Sequence, residues 1–425
     1  MNFENYTISQ LKHELKNYGV LYGTKADMIL RLREIIYNID SVKGSSKKIL
    51  NKHKRVLGKN APPNEKGDLK NEKIVKIVTF NTNGKSYNNT YYKTDDPYKL
   101  YSDLFKGDWD YLFLTLQECY NDENIIADGL IKYVRDITKN ENWTFDKLEQ
   151  NGPISIAREP FALKIYVFYK KDENANMKIE KEKVCLQSIG YCSKATVGIS
   201  LNFKGENGGK DKQLIFLGSH LPIDKKDEKT LGFDLRQKAV RKSIDSVFKK
   251  LKHDNADTIA FWAGDLNYRR LGGTPVLDQK KNPVLDQEGN PVLENLDQLT
   301  RSLTSKDTVF KVSDNSSFQE TEISFKPTCK FNILDKGDDD IVYKNCRNND
   351  VTNETCYDKK RVPSHCDRIL YLKSSDDLKV ELVPTSYTSF SSSELIRDSD
   401  HNLVMSKFKI NFNHIISIAY DENNA

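Results

Sequence analysis

Thr258-Ile259-Ala260-Phe261-Trp262 runs directly into Ala263-Gly264-Asp265-Leu266-Asn267-Tyr268-Arg269. The first five residues form a short, uninterrupted apolar run, the mark of a strand covered on both faces. The next residues differ in kind: a glycine, a carboxylate and an amide stand where the strand ends. Four other runs read the same way, at 73–80, 111–116, 163–169 and 213–217. Three of them also lead into polar residues. Asn81 and Asn83 come after the first, Gln117 and Glu118 after the second, and Ser219-His220 after the fourth. Asp400-His401 stands apart near the C-terminus. Strand ends in a layered α/β domain gather at one rim, where ligands commonly bind. A carboxylate, amides and two histidines at such ends suit metal-assisted phosphate hydrolysis. Mg²⁺ takes oxygen ligands and keeps some waters. The phosphate's charge needs donors, and a water must be deprotonated and aimed.

The rest of the chain frames this rim. Residues 233–251 read as an amphipathic helix, with Leu235, Val240, Ile244, Val247 and Leu251 on one side. An α/β domain is expected over 73–412, with 413–425 as a tail. Residues 7–37 read as two short helices around Gly19 and Gly23, and 41–72 as a basic, flexible linker. The 425 residues contain no run of about 18 apolar residues and no basic-then-apolar leader, so a membrane channel or a secreted protein is not expected. The expectation is a soluble intracellular protein. Residues 1–72 carry 14 Lys and Arg against 8 Asp and Glu, whereas the remainder is balanced to within one charge. This excess suits a polyanionic partner and, equally, a solvated linker. Seven cysteines without a CxxC pair read as reduced thiols. Pro275, Pro283 and Pro291 open three tandem Pro-Val-Leu copies, too short for a solenoid and read as turns in an inserted loop.

The joint order of the motifs is specific. Thr79-Phe80-Asn81-Thr82-Asn83-Gly84, Gln117-Glu118, Ser219-His220-Leu221, Gly264-Asp265-Leu266-Asn267 and Ser399-Asp400-His401 resemble the ordered motifs of the endonuclease/exonuclease/phosphatase superfamily. Gly264 to Arg269, and Pro363-Ser364-His365-Cys366-Asp367-Arg368-Ile369-Leu370, are similar to the two signatures of inositol polyphosphate 5-phosphatases. Asp297-Gln298-Leu299 and the string from Ile323 to Phe331 resemble that family too.

The resemblance implies two packed β-sheets flanked by helices, a four-layer α/β sandwich. Separately, Leu11-Lys12-His13-Glu14-Leu15, Gly19-Val20, Gly23-Thr24-Lys25-Ala26-Asp27-Met28-Ile29 and Arg31-Leu32 resemble the SAP motif, which implies a small helical SAP-like module over residues 1–40. The 5-phosphatase resemblance implies Mg²⁺ on Glu118 with Asn81, and proton acceptance by Asp265 with Asn267 orienting the water. His220 and His401 would stabilise the phosphoryl group, Asp400 would fix His401, and Asp367 would orient a histidine. Asn83, Arg269, Lys330, Lys359 and Arg361 would contact substrate, the last three gripping a neighbouring ring phosphate. Which group is the base is left open. The implied reaction is removal of the 5-phosphate from inositol polyphosphates or phosphoinositides; a lipid substrate would bring peripheral membrane contact.

Departures fall at recognition positions. Cys329 stands where the family has tyrosine, His365 where it has tryptophan, and Pro222-Ile223-Asp224 where a second histidine is expected. A second reading, a Mg²⁺-dependent nuclease directed to DNA by residues 1–72, stays open. On either reading the SAP-like module would place the enzyme in the nucleus or at a viral replication site. A helical hairpin that binds a protein or caps the domain stays open as well.

Overall fold

The computed structural model describes residues 72–83, 108–119, 125–150, 162–171, 177–188, 192–205, 209–223, 232–269, 297–305, 308–313, 316–329, 331, 363–390 and 399–412. All lie in one compact unit, Asn71–Ala425. The SAP-like module, the linker as far as residue 71, the Pro-Val-Leu repeat, the tail and Lys330, Lys359 and Arg361 lie outside the described residues.

Two mixed sheets face each other. The first is built on β1 (Lys73–Asn81), β2 (Tyr111–Cys119), β3 (Trp143–Gln150), β4 (Ala162–Lys170), β13 (Lys379–Leu382), β14 (Thr388–Phe390) and β15 (Leu403–Asn411), in the order β13-β15-β1-β2-β4-β3 with β14 also on β15. The second comprises β5 (Lys178–Ser188), β6 (Cys192–Phe203), β7 (Asp211–His220), β8 (Ala256–Asp265), β11 (Gln319–Glu320) and β12 (Asp367–Lys373), in the order β11-β12-β8-β7-β6-β5. A separate pair joins β9 (Lys311–Ser313) to β10 (Ser316–Ser317). Only β1–β2 and β7–β8 run parallel among these pairs.

Strand alternation explains the layers. Ile77, Phe113, Ile165 and Val167 of the first sheet meet Val197, Phe216, Phe261 and Ile369 of the second in the central core. The alternate residues Val78, Phe80, Leu112 and Leu114 turn outward onto Leu130 and Val134 of α1 (Ile125–Thr138). On the other side, Ile215, Leu217, Ala260 and Trp262 pack against Val240, Ile244, Val247, Phe248 and Leu251. Those residues belong to α2 (Phe233–Ser243), a π-helical turn Ile244–Phe248 and a last turn Lys249–Leu251. Coverage on both faces is why the strands read as unbroken apolar runs. The sheets approach closely at Gly218, where a Cβ would stand 2.3 Å from Ile165 Cγ2; only glycine fits beneath the rim.

One expectation is corrected. Cys185 and Cys192 are joined by a disulfide across the β5–β6 hairpin, with Cα atoms 5.6 Å apart. Strand pairing brings together two cysteines whose separation of seven carries no ligand or redox motif. Among the described residues no helix is long and apolar enough to cross a membrane.

Candidate active site

The ladders bring the polar strand ends together. Asn81 closes β1, Glu118 lies at the end of parallel β2, and His220 and Asp265 form the last rung between β7 and β8. Asp367, the first residue of β12, is paired with Asp265 across the antiparallel ladder. His401 stands two residues before the start of β15, which runs antiparallel to β1. Among the described residues, five non-glycine residues have positive φ, and three of these are Asn83 (52°), Glu118 (51°) and Asn267 (54°). Asparagine adopts this left-handed backbone readily, as at Asn83 and Asn267. It is uncommon at Glu118, where the surrounding strands hold it, and at Lys139 and Thr385 away from the site. Gly264 is where a side chain is excluded: φ is 155°, and a Cβ there would lie 2.0 Å from the Ser219 carbonyl oxygen.

Asp265 Oδ2 is the centre of the cluster. Asn81 Nδ2 donates to it at 2.9 Å, His220 Nε2 lies 3.4 Å away and His401 Nε2 4.0 Å away. Oδ1 accepts the backbone N–H of Asn267 at 3.0 Å. Burial opposes ionisation, but the hydrogen bond from His220 and the charges of His401, His220 and Lys194 hold the Asp265 carboxyl far below its usual range.

The two histidines are pushed in opposite directions. Burial, and then the Lys194 ammonium, pull His220 below its ordinary value. Burial also works against a charge on His401, yet the Asp367 carboxylate and its hydrogen bond outweigh it, and the group is pushed up to about 10. Asp367 Oδ2 is 2.8 Å from His401 Nδ1 and also accepts from Thr328 Oγ1 at 2.7 Å. Asp400 Oδ1 is 3.7 Å from Nε2, so the hydrogen bond that orients the ring comes from Asp367. Ser399 Oγ donates to the Asn81 carbonyl at 2.6 Å and accepts from His401 N at 3.0 Å, tying the histidine's loop to β1.

Asn267 and Arg269 form a supporting layer. Asn267 Nδ2 donates to the Leu221 carbonyl, and its Oδ1 takes a 2.7 Å bond from Arg269. Arg269 is buried behind it, with a second N–H directed at Cys329 Sγ. Gln298 Oε1 accepts from Arg269 N and from Arg236. Arg368, adjacent to Asp367, is gripped by Glu320 and by Asp297, which also caps α3 (Gln298–Thr304). These contacts absorb the Asp297-Gln298-Leu299 string into scaffolding.

Lys194 is the site residue that sequence reasoning missed. Its ammonium touches His220 and lies 4.0 Å from Glu118 Oε1. It sits on β6, one rung from the Ala195–His220 pair.

Glu118 and Asn81 fit a hard divalent cation. Both offer oxygen, and the Glu118 side chain is 23% exposed, which leaves positions for water. Asp265, Asp367 and His401 also bring donor atoms within 4.8 Å of one another. There, however, the imidazole lies between the carboxylates with Nδ1 committed to Asp367. That trio reads as a proton-holding relay.

Known proteins show what the chain is similar to. Over 150 residues the chain is 34% identical to the human phosphatidylinositol polyphosphate 5-phosphatase type IV, covering 35% of this chain and 19% of that protein. Over 320 residues it is 24% identical to type I inositol polyphosphate 5-phosphatase 8 of Arabidopsis thaliana, covering 69% of this chain and 57% of that one. The chain thus spans less than two thirds of either relative. Among solved structures, the inositol polyphosphate 5-phosphatase domain of SPsynaptojanin, in complex with inositol (1,4)-bisphosphate and calcium, is 21% identical with a TM-score of 0.48, covering 80% of this chain and 84% of that one. Residues 78–407 match the model of endonuclease/exonuclease/phosphatase family 2, a span that begins in β1 and ends in β15, and the chain belongs to that family.

Proposed function

We propose that the chain is a Mg²⁺-dependent phosphomonoesterase that removes the 5-phosphate of inositol polyphosphates or phosphoinositides. The observation that carries this reading is the convergence of Asn81, His220 and His401 on one ionised oxygen, Asp265 Oδ2. A carboxylate held ionised there can take the proton of an attacking water, while Asn267, fixed by Leu221 and Arg269, orients that water. His401, charged through the neutral range, donates to the phosphoryl oxygens as charge builds on them. His220 is drawn below its ordinary value and holds the Lys194 ammonium against its ring. Pairs of groups pushed apart in this way divide donor from acceptor roles in phosphate-ester sites as in others. Lys194 adds a cation on the side of Glu118. Glu118 and Asn81 would hold Mg²⁺, which when bound supplies Lewis-acid polarisation of the phosphate.

Domain limits of 1–40, 41–72 and 73–412 belong to the same proposal, with residues 1–72 directed to DNA. The test is phosphate release by the full chain with Mg²⁺ from a panel of inositol phosphates and phosphoinositides, run beside abasic and intact DNA, with Asp265→Ala as blank. Release from 5-phosphorylated inositols that vanishes in the variant supports the phosphatase. DNA cleavage with silence on inositols replaces it with the nuclease.

A further inference from the structure

Cys329 and Cys366 face each other directly behind the site. Both are fully buried and free, and their sulfurs are 2.7 Å apart. Non-bonded interior atoms normally keep about 3.5 Å or more. Cys329 occupies the position where the family resemblance implies tyrosine, so the pair is a departure from the family pattern. Backbone geometry holds the two segments in register. Ser364 N donates to the Cys329 carbonyl at 2.7 Å, and the Ser364 carbonyl accepts from Cys329 N at 3.1 Å. Cys366 stands two residues further on. A second observation singles out one sulfur: Arg269, nine-tenths buried, directs an N–H at Cys329 Sγ at 3.3 Å, and its own Nε has no partner.

Each cysteine flanks a residue of the His401 relay. Thr328 precedes Cys329, Asp367 comes after Cys366, and Thr328 Oγ1 donates to the same Asp367 oxygen that holds His401. Cys329 also bridges His401 through the backbone. We infer that Cys329 and Cys366 are a dithiol that closes to a disulfide under peroxide, and that closing it slows turnover by displacing the Thr328–Asp367–His401 relay. The Cys329 sulfur attacks one peroxide oxygen; the O–O bond breaks, water leaves, and a sulfenic acid remains. The Cys366 sulfur then attacks Cys329, an S–S bond forms, the S–O bond breaks and a second water leaves with the Cys366 proton. Two thiols lose two electrons and one hydrogen peroxide becomes two waters; an added dithiol reverses the step. An S–S bond of about 2.05 Å requires the sulfurs to close by roughly 0.7 Å. A misplacement of about 1 Å at a reacting group can cost on the order of a hundredfold in rate. The part of this closure passed through Thr328 and Asp367 to His401 is expected to cost about tenfold.

The experiment treats the full chain with hydrogen peroxide, alkylates remaining thiols, and maps non-reduced peptides by mass spectrometry beside phosphate release. Expected are a Cys329–Cys366 linked peptide, a rate at least about tenfold lower, and recovery with dithiothreitol. Cys329→Ser, whatever its starting rate, loses none of it to peroxide. Recovery of both cysteines as separate alkylated peptides overturns the inference, and so does a linked enzyme of unchanged rate. The map identifies the Cys185–Cys192 bridge separately and does not depend on the phosphatase reading, whereas the rate comparison does.

Discussion

Replacing Asp367 by asparagine should change how activity depends on pH before it changes anything else. The carboxylate is fully buried and 2.8 Å from His401 Nδ1, and it is the main influence that raises His401 to about 10 against the opposing effect of burial. Asparagine keeps an oxygen acceptor for the Nδ1 proton, so the ring stays oriented while the charge is lost. His401 should then fall from about 10 to, or below, its ordinary value of about 6.5, because burial is the largest influence on it and only Asp265 and Asp400 would still oppose it. At pH 8 the charged fraction would fall from nearly all to about 3% or less, a loss of at least roughly thirtyfold from population alone. At pH 5.5 far more of the imidazole would be charged, and the variant should recover to within about tenfold of the native enzyme. The sign comes from the shift: a raised group holds its proton until pH passes about 10, and the variant surrenders it near or below its ordinary value. The assay is initial phosphate release at saturating Mg²⁺ and substrate between pH 5.5 and 9.5, expressed as the ratio of native to variant rate at each pH. Taking the ratio cancels effects common to both proteins, including those of His220. A ratio that is flat across the range would refute the reasoning, because it would mean that the Asp367 charge does not set the protonation of His401.

Other perturbations test other parts of the site. Glu118→Gln removes the anionic oxygen proposed for the metal; the Mg²⁺ concentration for half-maximal rate should rise at least about tenfold, and an unchanged titration would place the metal elsewhere. Lys194→Met removes a cation beside Glu118 and His220. Inhibition by inorganic phosphate should weaken about tenfold, the equivalent of one charge-assisted hydrogen bond, and equal inhibition would exclude phosphate contact. Gly264→Ala would press a Cβ to 2.0 Å from the Ser219 carbonyl oxygen. A stability loss of more than about 3 kcal/mol in urea unfolding is expected, and a loss within about 1 kcal/mol would show that the ladder adjusts.

Much of this arrangement is legible in one dimension, and the omissions have physical causes. The apolar centres of β1, β2, β4, β7 and β8 stand out because helices or the opposing sheet cover both faces. Their ends do not, since Asn81, Glu118, His220 and Asp265 remain within the ladders although their side chains serve the site. The helical pattern over 233–251 is visible, whereas the π turn at Ile244–Phe248 has no signal in apolar spacing. The edge strand β5, Lys-Ile-Glu-Lys-Glu-Lys, alternates charge with partial burial and does not resemble a core strand. Without β5 and β6 neither Lys194 nor the Cys185–Cys192 pairing could be found. Motif order points to Asp367 and Asp400 as partners of histidine, but only the pairing of Asp367 with Asp265 decides which one reaches Nδ1 of His401. Cys329 is visible as a departure from a family pattern; its meeting with Cys366 depends on strand pairing across Ser364.

The most direct test of the account is the position from which phosphate is lost. Inositol bearing phosphates at positions 1, 4 and 5 would be incubated with the full chain and Mg²⁺ and monitored by ³¹P nuclear magnetic resonance, with Asp265→Ala in parallel. The predicted result is that the trisphosphate signals give way to those of inositol 1,4-bisphosphate, inorganic phosphate rises in step, and the variant leaves the spectrum unchanged. Loss from position 1 or 4, or an unaltered spectrum from protein that cleaves abasic DNA, would contradict it.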